Sequence, residues 1–455
     1  MGRLNSQSNR GIVHNLRLAV HLQKLTVKIL ISTLGSRGDI QPCLALAVGL
    51  QQAGHPVTIT TSHNFTEWIQ SYGIGVHPTR FSVQEFMQKP ETQATLKSGN
   101  PVRQFRMMRE VMSQSIEAMD DVWQAAQDAD FVVQSGTGSG ALEAASKRGL
   151  PVAFTYVIPF APTRAFPSFF LGPLRFSLGE GYNHLTHTLM HRVLWSGMGG
   201  PMTNSWRKKL GLKPWRSYAE MLAYGRRLGA PVLYAFSPNV IPKPADWDEY
   251  QHVTGYWFLD APSDWQPSTD LMRFLESGPP PVYAGFGSIN VGDSESKTRL
   301  ILRALELSGQ RGVILTGWGG LTRLPAPPNV LFVDNVPHDW LFPRMAAVMY
   351  HGGAGTTGAG LRAGVPSIIT PLAGDQVAWA ETVVRFGVGP RAPGINRLTA
   401  EKLAEAIQTS VSDSAMRARA AALGEKIRAE NGVARAVEII ERHVVDFNPR
   451  ADRNH

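Results

Sequence analysis

The segment His351-Gly352-Gly353-Ala354-Gly355-Thr356-Thr357 comes directly after the apolar run Ala347-Val348-Met349-Tyr350 and opens a helical stretch that continues to about Ala363. Residues of these types at a strand-to-helix turn suit a phosphate group. Glycine lets the main chain approach a ligand closely, and the N–H groups and dipole of a helix start attract an anion. The Thr hydroxyls can cap the helix or donate to phosphate oxygens. His351 can donate to the same group. A tight packing turn would also use glycines, so the segment gains weight from its downstream neighbours, Gly364-Val365-Pro366, Pro371 and Gly374-Asp375-Gln376. A carboxylate beside a carboxamide suits neighbouring sugar hydroxyls, since one accepts and the other accepts and donates. Alone, Asp375 would read as a helix N-cap.

Such residues need strand ends beside helix starts, and the sequence supplies these twice. Val27-Lys28-Ile29-Leu30-Ile31-Ser32-Thr33 is a β-branched apolar run that ends at Gly35-Ser36-Arg37-Gly38. A helix is predicted over residues 42–53, with Leu44, Ala47 and Val48 on one face and Gly54 ending it. Residues 56–61, 131–133 and 152–156 read as further strands, with the turn Gly136-Thr137-Gly138-Ser139-Gly140 and a short helix over 142–148 between the last two. Residues 160–228 lack this rhythm and read as helical and irregular, and 231–236 as the last strand of the first half. Prolines 238, 242, 244, 262, 267 and 279–281 then mark an interdomain passage. The pattern restarts with a strand over 282–288, a helix over 298–308, and strands over 313–316, 330–333, 347–350 and 367–370. Alternating βα units broken once predict two Rossmann-like α/β domains facing across a cleft, with ligands at the carboxyl ends of the strands. The expected division is a basic, disordered extension over 1–24, a first domain over 25–240, a linker over 241–280, a second domain over 281–425, and a C-terminal helix over 426–447 placed to pack back on the first domain.

Composition narrows the class. With 43% hydrophobic and 18% charged residues, and Gly and Pro spread along the chain, this is a globular protein and not a low-complexity one. The single cysteine, Cys43, excludes an intrachain disulfide and a Cys-based zinc site, and fits a reducing compartment, the cytoplasm. No apolar run approaches the ~20 residues that span a bilayer. The basic start has no apolar core of the kind a signal peptide carries. The net charge of +9 concentrates in residues 161–230, where ten Lys and Arg face only Glu180 and Glu220. Aromatics in the same stretch, such as Phe166, Phe169, Trp195 and Trp206, point to peripheral contact with a membrane or a greasy ligand, and no nucleic-acid module is present.

Taken together, the run Val333-Asp334-Asn335-Val336-Pro337-His338-Asp339-Trp340, then His351 to Thr357, Ala363-Gly364-Val365-Pro366, and Gly374-Asp375-Gln376 with Trp379, resembles the donor signature of GT-B glycosyltransferases. The likeness is closest to sterol 3β-glucosyltransferases and glycopeptide-antibiotic glycosyltransferases. It extends to Gly285-Phe286-Gly287-Ser288 and to Gly35-Ser36-Arg37-Gly38-Asp39 with Gln41-Pro42, so it covers roughly residues 28–440.

The resemblance implies roles. Gly287, Ser288, His351, Gly353, Gly355, Thr356 and Thr357 would hold the diphosphate of a UDP-sugar. Val336 would meet the uracil through its main chain, with Trp318 beside the base. Asp375 and Gln376 would grip the hexose, glucose by the family's habit. Phe154, Tyr156, Phe160 and Trp379 would border a lipophilic alcohol acceptor, a sterol or sterol-like lipid. Family members invert the anomeric centre. The acceptor must lose its proton as it attacks, and Asp39 stands where the sterol and antibiotic groups carry Asp. Capping of the following helix is its plain alternative. No metal and no cofactor is expected beyond the nucleotide sugar as co-substrate.

Other patterns read as structural. Asp128-Ala129-Asp130 and Asp246-Trp247-Asp248 look like surface carboxylates and not a metal-binding triplet. His184, His187 and His191 share a helix face and suit the lining of the acceptor lobe better than zinc. Gly136 to Gly140 has no Lys after it and is no Walker motif. Two alternatives within the enzyme family remain, a macrolide, glycopeptide or carotenoid acceptor and a glycolipid one. Outside it stand a nicotinamide-dependent oxidoreductase and a non-catalytic sugar-nucleotide-binding module. The dinucleotide fingerprint is missing after the first strand, where Gly35-x-x-Gly38 is the nearest approach.

Overall fold

The computed structural model describes residues 26–82, 85–86, 89–92, 95, 101–171, 178–262, 264–287, 293–316 and 320–447. The basic extension expected over residues 1–24 lies outside them.

Two wholly parallel sheets form the molecule. The first holds β1 (Ile29–Ser32), β2 (Val57–Ser62), β3 (Gly75–Thr79), β4 (Phe131–Ser135), β5 (Val152–Tyr156), β6 (Val232–Tyr234) and β7 (Gln251–Val253) in the order 3-2-1-4-5-6-7. The second holds β8 (Val282–Ala284), β9 (Gly312–Leu315), β10 (Val330–Val333), β11 (Ala347–Tyr350) and β12 (Ser367–Ile369) in the order 10-9-8-11-12. All four residues of β1 and of β11 are buried. Strands covered by helices on both faces need such unbroken apolar runs, and this is why they are readable from sequence.

Each sheet reverses its winding once. The reversal falls between β1 and β4 in the first sheet and between β8 and β11 in the second. A parallel sheet opens a crevice at the carboxyl ends of the strands there. Both crevices receive the turns that carry the candidate chemistry.

The structure departs from the sequence reading in three places. The first helix runs over Arg37–Gln52, not from residue 42, so Pro42 lies inside it. β3 has no counterpart in that reading, because it is an edge strand containing Pro78, a residue tolerated only at edges. The stretch expected to be linker contributes β7, which joins the first sheet beside β6.

The halves are tied together. Phe169 of the first meets Trp379 of the second edge-on, with ring centroids 5.3 Å apart. Arg362 pairs with Asp260 at 2.7 Å. The last helix, Gly432–Asp446, lies against the first domain: His55 Nε2 is 3.3 Å from Glu441 Oε1, and the Phe131 and His443 rings meet edge-on at 6.0 Å.

Candidate active site

The turn after β1 fixes Asp39. Ser36 caps the Arg37–Gln52 helix from outside, and Asp39 lies in the first turn. Asp39 Oδ2 accepts from the Ser36 N–H at 2.8 Å and from the Ser36 hydroxyl at 2.9 Å. Its Oδ1 accepts from no other described residue. Gly35 has φ of +121°, and a Cβ there would come within 2.5 Å of Asp39 Oδ2. Only glycine adopts that backbone without strain and leaves the carboxylate its place. Burial raises the Asp39 pKa, and the bonds from Ser36 oppose the shift. The helix-capping alternative is therefore half realised, since one oxygen caps while the other stays available.

The turn after β11 builds an anion site. Gly353 caps the Ala354–Ala363 helix, whose first N–H groups, at Ala354, Gly355 and Thr356, have no partner within the helix. His351 stands at the strand end. Its Nδ1 is buried with no hydrogen-bond partner among the described residues, and burial pushes its pKa down to about 4. The ring is thus neutral near pH 7, with one N–H to donate. A Cβ on Gly353 would strike His351 Nε2 at 2.4 Å, so a side chain there would evict the ring. Gly287, after β8, adjoins the same ring, with His351 Cε1 3.9 Å from where its Cβ would be.

The turn after β12 delivers Asp375 and Gln376 at the start of the Asp375–Arg385 helix. Gln376 Oε1 accepts the Leu372 N–H at 2.8 Å, which leaves its amide N–H groups to donate. Asp375 is mostly buried, and burial pushes its pKa up to about 6. The charge of Asp39 adds to that rise, and the Trp379 indole opposes it. The charge of Asp39 thus reaches Asp375 from the first domain.

The other expected donor residues divide between surface and core. Gly355 and Thr356 face outward in the first helical turn. Thr357 does not: it is fully buried, its N–H bonds the Gly353 carbonyl at 2.9 Å, and its hydroxyl lies behind the turn near Tyr350. It packs inside the turn, and its Oγ1 has no hydrogen-bond partner among the described residues. Val336 is half-buried in the turn after β10. Ser288 and Trp318 lie outside the described residues.

The acceptor side needs a larger correction. Phe154 is 2% exposed and borders only a small void, and Trp379 is wholly buried. Trp379 instead joins the domains through Phe169. Tyr156 and Phe160 stack at 4.7 Å, and Phe160 stacks on His191 at 4.9 Å. The void beside this stack is about 30 Å³, room for one water and far below the ~300 Å³ of a small-molecule pocket. A cavity of about 570 Å³ lies behind the Asp375–Arg385 helix, lined by Leu372, Val377, Val384 and Arg391, and none of the expected site residues borders it.

The other motifs are structural. Asp128 pairs with Lys28 at 2.7 Å, and Asp130 accepts the Lys28 N–H. Asp246 accepts from Thr163 and the Arg164 N–H, and Asp248 pairs with Arg226 at 3.0 Å. His187 and His191 each donate Nε2–H to a carbonyl, of Phe166 and Phe160, at 3.1 Å. Among the described residues no group of three or more His, Cys, Asp or Glu is placed to hold a metal ion. Part of the basic stretch is neutralised by acids elsewhere in sequence: Arg207 by Glu143 and Lys209 by Asp120. Arg37 is a residue given no role from sequence. It lies over Trp68 at 4.7 Å, and its charge is felt at His338 across the cleft.

Two family models match in succession. Residues 29–167 match the glycosyltransferase family 28 N-terminal domain, and residues 319–442 match the C-terminal domain of erythromycin biosynthesis protein CIII-like proteins. The chain belongs to the GT-B glycosyltransferases. It is 36% identical over 446 residues to a sterol 3-beta-glucosyltransferase of Cryptococcus neoformans var. neoformans serotype D, a match that spans 91% of this chain and 27% of that protein. A relative of the same name from Emericella nidulans is 35% identical over 433 residues, 91% of this chain and 30% of that one. The chain thus spans between a quarter and a third of the curated relatives it matches. Among solved structures, the glycosyltransferase of kitacinnamycin superposes with a TM-score of 0.67 at 20% identity, covering 92% of this chain and 99% of that one. These likenesses give the GT-B chain the same two facing domains along nearly its full length.

Proposed function

We propose that this chain transfers a hexose, glucose by family likeness, from a UDP-sugar to the hydroxyl of a sterol or sterol-like lipid, with inversion. The observation that carries the reading is the meeting of three turns at the carboxyl ends of β1, β11 and β12, one bearing Asp39, one an anion site with His351, and one the pair Asp375 and Gln376. The curated relatives named for sterol glucosylation support the acceptor class.

In the reaction the acceptor oxygen attacks the anomeric carbon while the bond from that carbon to the diphosphate breaks. Asp39 takes the hydroxyl proton through the oxygen that Ser36 leaves free. The leaving diphosphate gathers negative charge. The helix-start N–H groups and the neutral His351 N–H meet that charge. Asp375 accepts from sugar hydroxyls and Gln376 donates to them, which positions the anomeric carbon. The helix-start amides, His351 and Gly287 would carry the diphosphate, and Val336 the base. Asp39 and a metal-independent donor site are part of this proposal, as is work in the cytoplasm. No described helix is long and apolar enough to cross a membrane.

Mass spectrometry of reactions with UDP-glucose and cholesterol, a hopanoid or a carotenoid diol tests the reading. A glucosylated sterol or hopanoid with stoichiometric UDP is expected. Product from the carotenoid alone would move the chain to another acceptor class. UDP-glucose left intact with every alcohol would leave a binding module.

A further inference from the structure

The Glu180–Leu194 helix wears its faces inside out. Its inner face, Asn183, Thr186, His187 and His191, is polar and buried. Its outer face carries an apolar stripe, bordered by Thr188 and the exposed His184. Leu185, Leu189 and Val193 are 60%, 53% and 56% exposed, and their four-residue spacing puts them in one stripe. Tyr182 and Arg192 stand on the same side, three residues before Leu185 and three after Leu189. The helix's one carboxylate, Glu180, points about 140° away from Leu185 at 3.6 residues per turn. Leu178, 52% exposed, extends the surface ahead of the helix.

Single exposed leucines are ordinary, but a contiguous apolar face marks a docking surface. The occupant is set by the chemistry of the face. A helix that lies in a membrane interface presents Leu and Val to the acyl boundary, with Tyr at the interface and Arg toward anionic headgroups. This face has those residues and no acid. Directly behind it, His191 stacks on Phe160 and Phe160 on Tyr156, an aromatic stack that ties the helix to β5 of the first sheet.

We propose that this face, with Leu178, beds into the headgroup–acyl boundary of an anionic bilayer, and that a lipid-borne acceptor reaches the cleft from there. The acceptor's route rests on the lipid-alcohol reading above; the docking itself does not. It narrows the contact expected of residues 161–230 to one helix, and shifts its main driving force from charge to apolar burial.

Flotation of the full chain with vesicles of phosphatidylcholine, with and without phosphatidylglycerol, tests it. The wild type is expected to float with the phosphatidylglycerol vesicles. L185E/L189E should lower the bound fraction at least about tenfold, since two apolar side chains leave the acyl boundary and two charges replace them. R192E should weaken binding only to the anionic vesicles. Turnover of an acceptor carried in vesicles should fall in L185E/L189E, and turnover of the same acceptor in cyclodextrin should not. A wild type that stays with the unbound fraction, or a double variant that floats equally well, overturns the proposal. So does a wild-type dimer that the double variant splits, for the face would then bind a second copy. Absence of turnover with any acceptor would strike the proposed function and leave flotation to decide the docking surface.

Discussion

The carbonyl of Gly38 faces Gly355 across the cleft, and a Cβ on Gly355 would lie 3.9 Å from that oxygen. The contact joins the turn that carries Asp39 to the turn that carries the anion site. Pro42 makes it possible: it has no N–H to return to the carbonyl four residues earlier, so the Gly38 oxygen is left without its ordinary helical partner. An Ala fits the space at Gly355, and a branched side chain reaches beyond it into the gap between the two turns. Gly355→Val should therefore raise the KM for UDP-glucose by about tenfold or more, the effect of ~1.4 kcal/mol, with the thermal midpoint near wild type because the site is exposed. An unchanged KM would show that the donor avoids this turn.

Gly35→Ala should damage catalysis through Asp39. The new methyl meets Oδ2, and the backbone at φ +121° strains any side chain by roughly 1–3 kcal/mol. The expected result is a lower thermal midpoint and a fall in kcat with UDP affinity kept. Wild-type kcat would show that the position of this carboxylate does not matter.

His351→Ala should lower kcat by about 10²–10³, the cost of losing one donor to developing negative charge. His351→Gln should recover part of it, since an amide N–H replaces the ring N–H. Because burial pushes the His351 pKa down to about 4, the ring does not titrate between pH 5 and 8. The pH profile of His351→Gln should then keep the wild-type shape, and loss of a limb near pH 6–7 would contradict the neutral ring.

Asp375 sets the acid limb. Its pKa is pushed up to about 6 by burial and then by the charge of Asp39. Binding of UDP-glucose should weaken as pH falls through about 6, where Asp375 takes a proton and stops accepting. Asp39→Asn removes the like charge, so that limb should move to lower pH. The linkage has a defined sign. The folded value exceeds the ordinary 3.8, so this group favours the fold most below pH 3.8, and that contribution is lost as pH rises through about 6. Asp375→Asn should flatten that part of the curve of thermal midpoint against pH. A limb that stays fixed in Asp39→Asn would break the proposed coupling.

The parts legible in sequence are those whose physics is local. Gly-rich turns after unbroken apolar runs mark both winding reversals, where Asp39 and His351 fall, and a third such turn after the edge strand β12 carries Asp375. The helix start is misleading because Pro42 looks like a first helical residue, while the true cap, Ser36, owes its place to Asp39 three residues on. β7, Gln251-His252-Val253, carries no apolar run and exists only because β6 offers it an edge. The acceptor side is least legible. Composition signals aromatics but not burial, so Phe154 and Trp379 read as lining when they are core. Likewise, a count of basic residues misses that Glu143, Asp120 and Asp248 supply partners from elsewhere in the chain.

The most direct test is Asp39→Asn, measured for UDP affinity and for single-turnover glucosyl transfer side by side. The amide can still accept from the Ser36 N–H and hold the turn, but it cannot take a proton. Transfer should drop about 10²–10⁴-fold while UDP binds as in the wild type. Transfer at the wild-type rate would contradict the assignment of the base and the mechanism built on it.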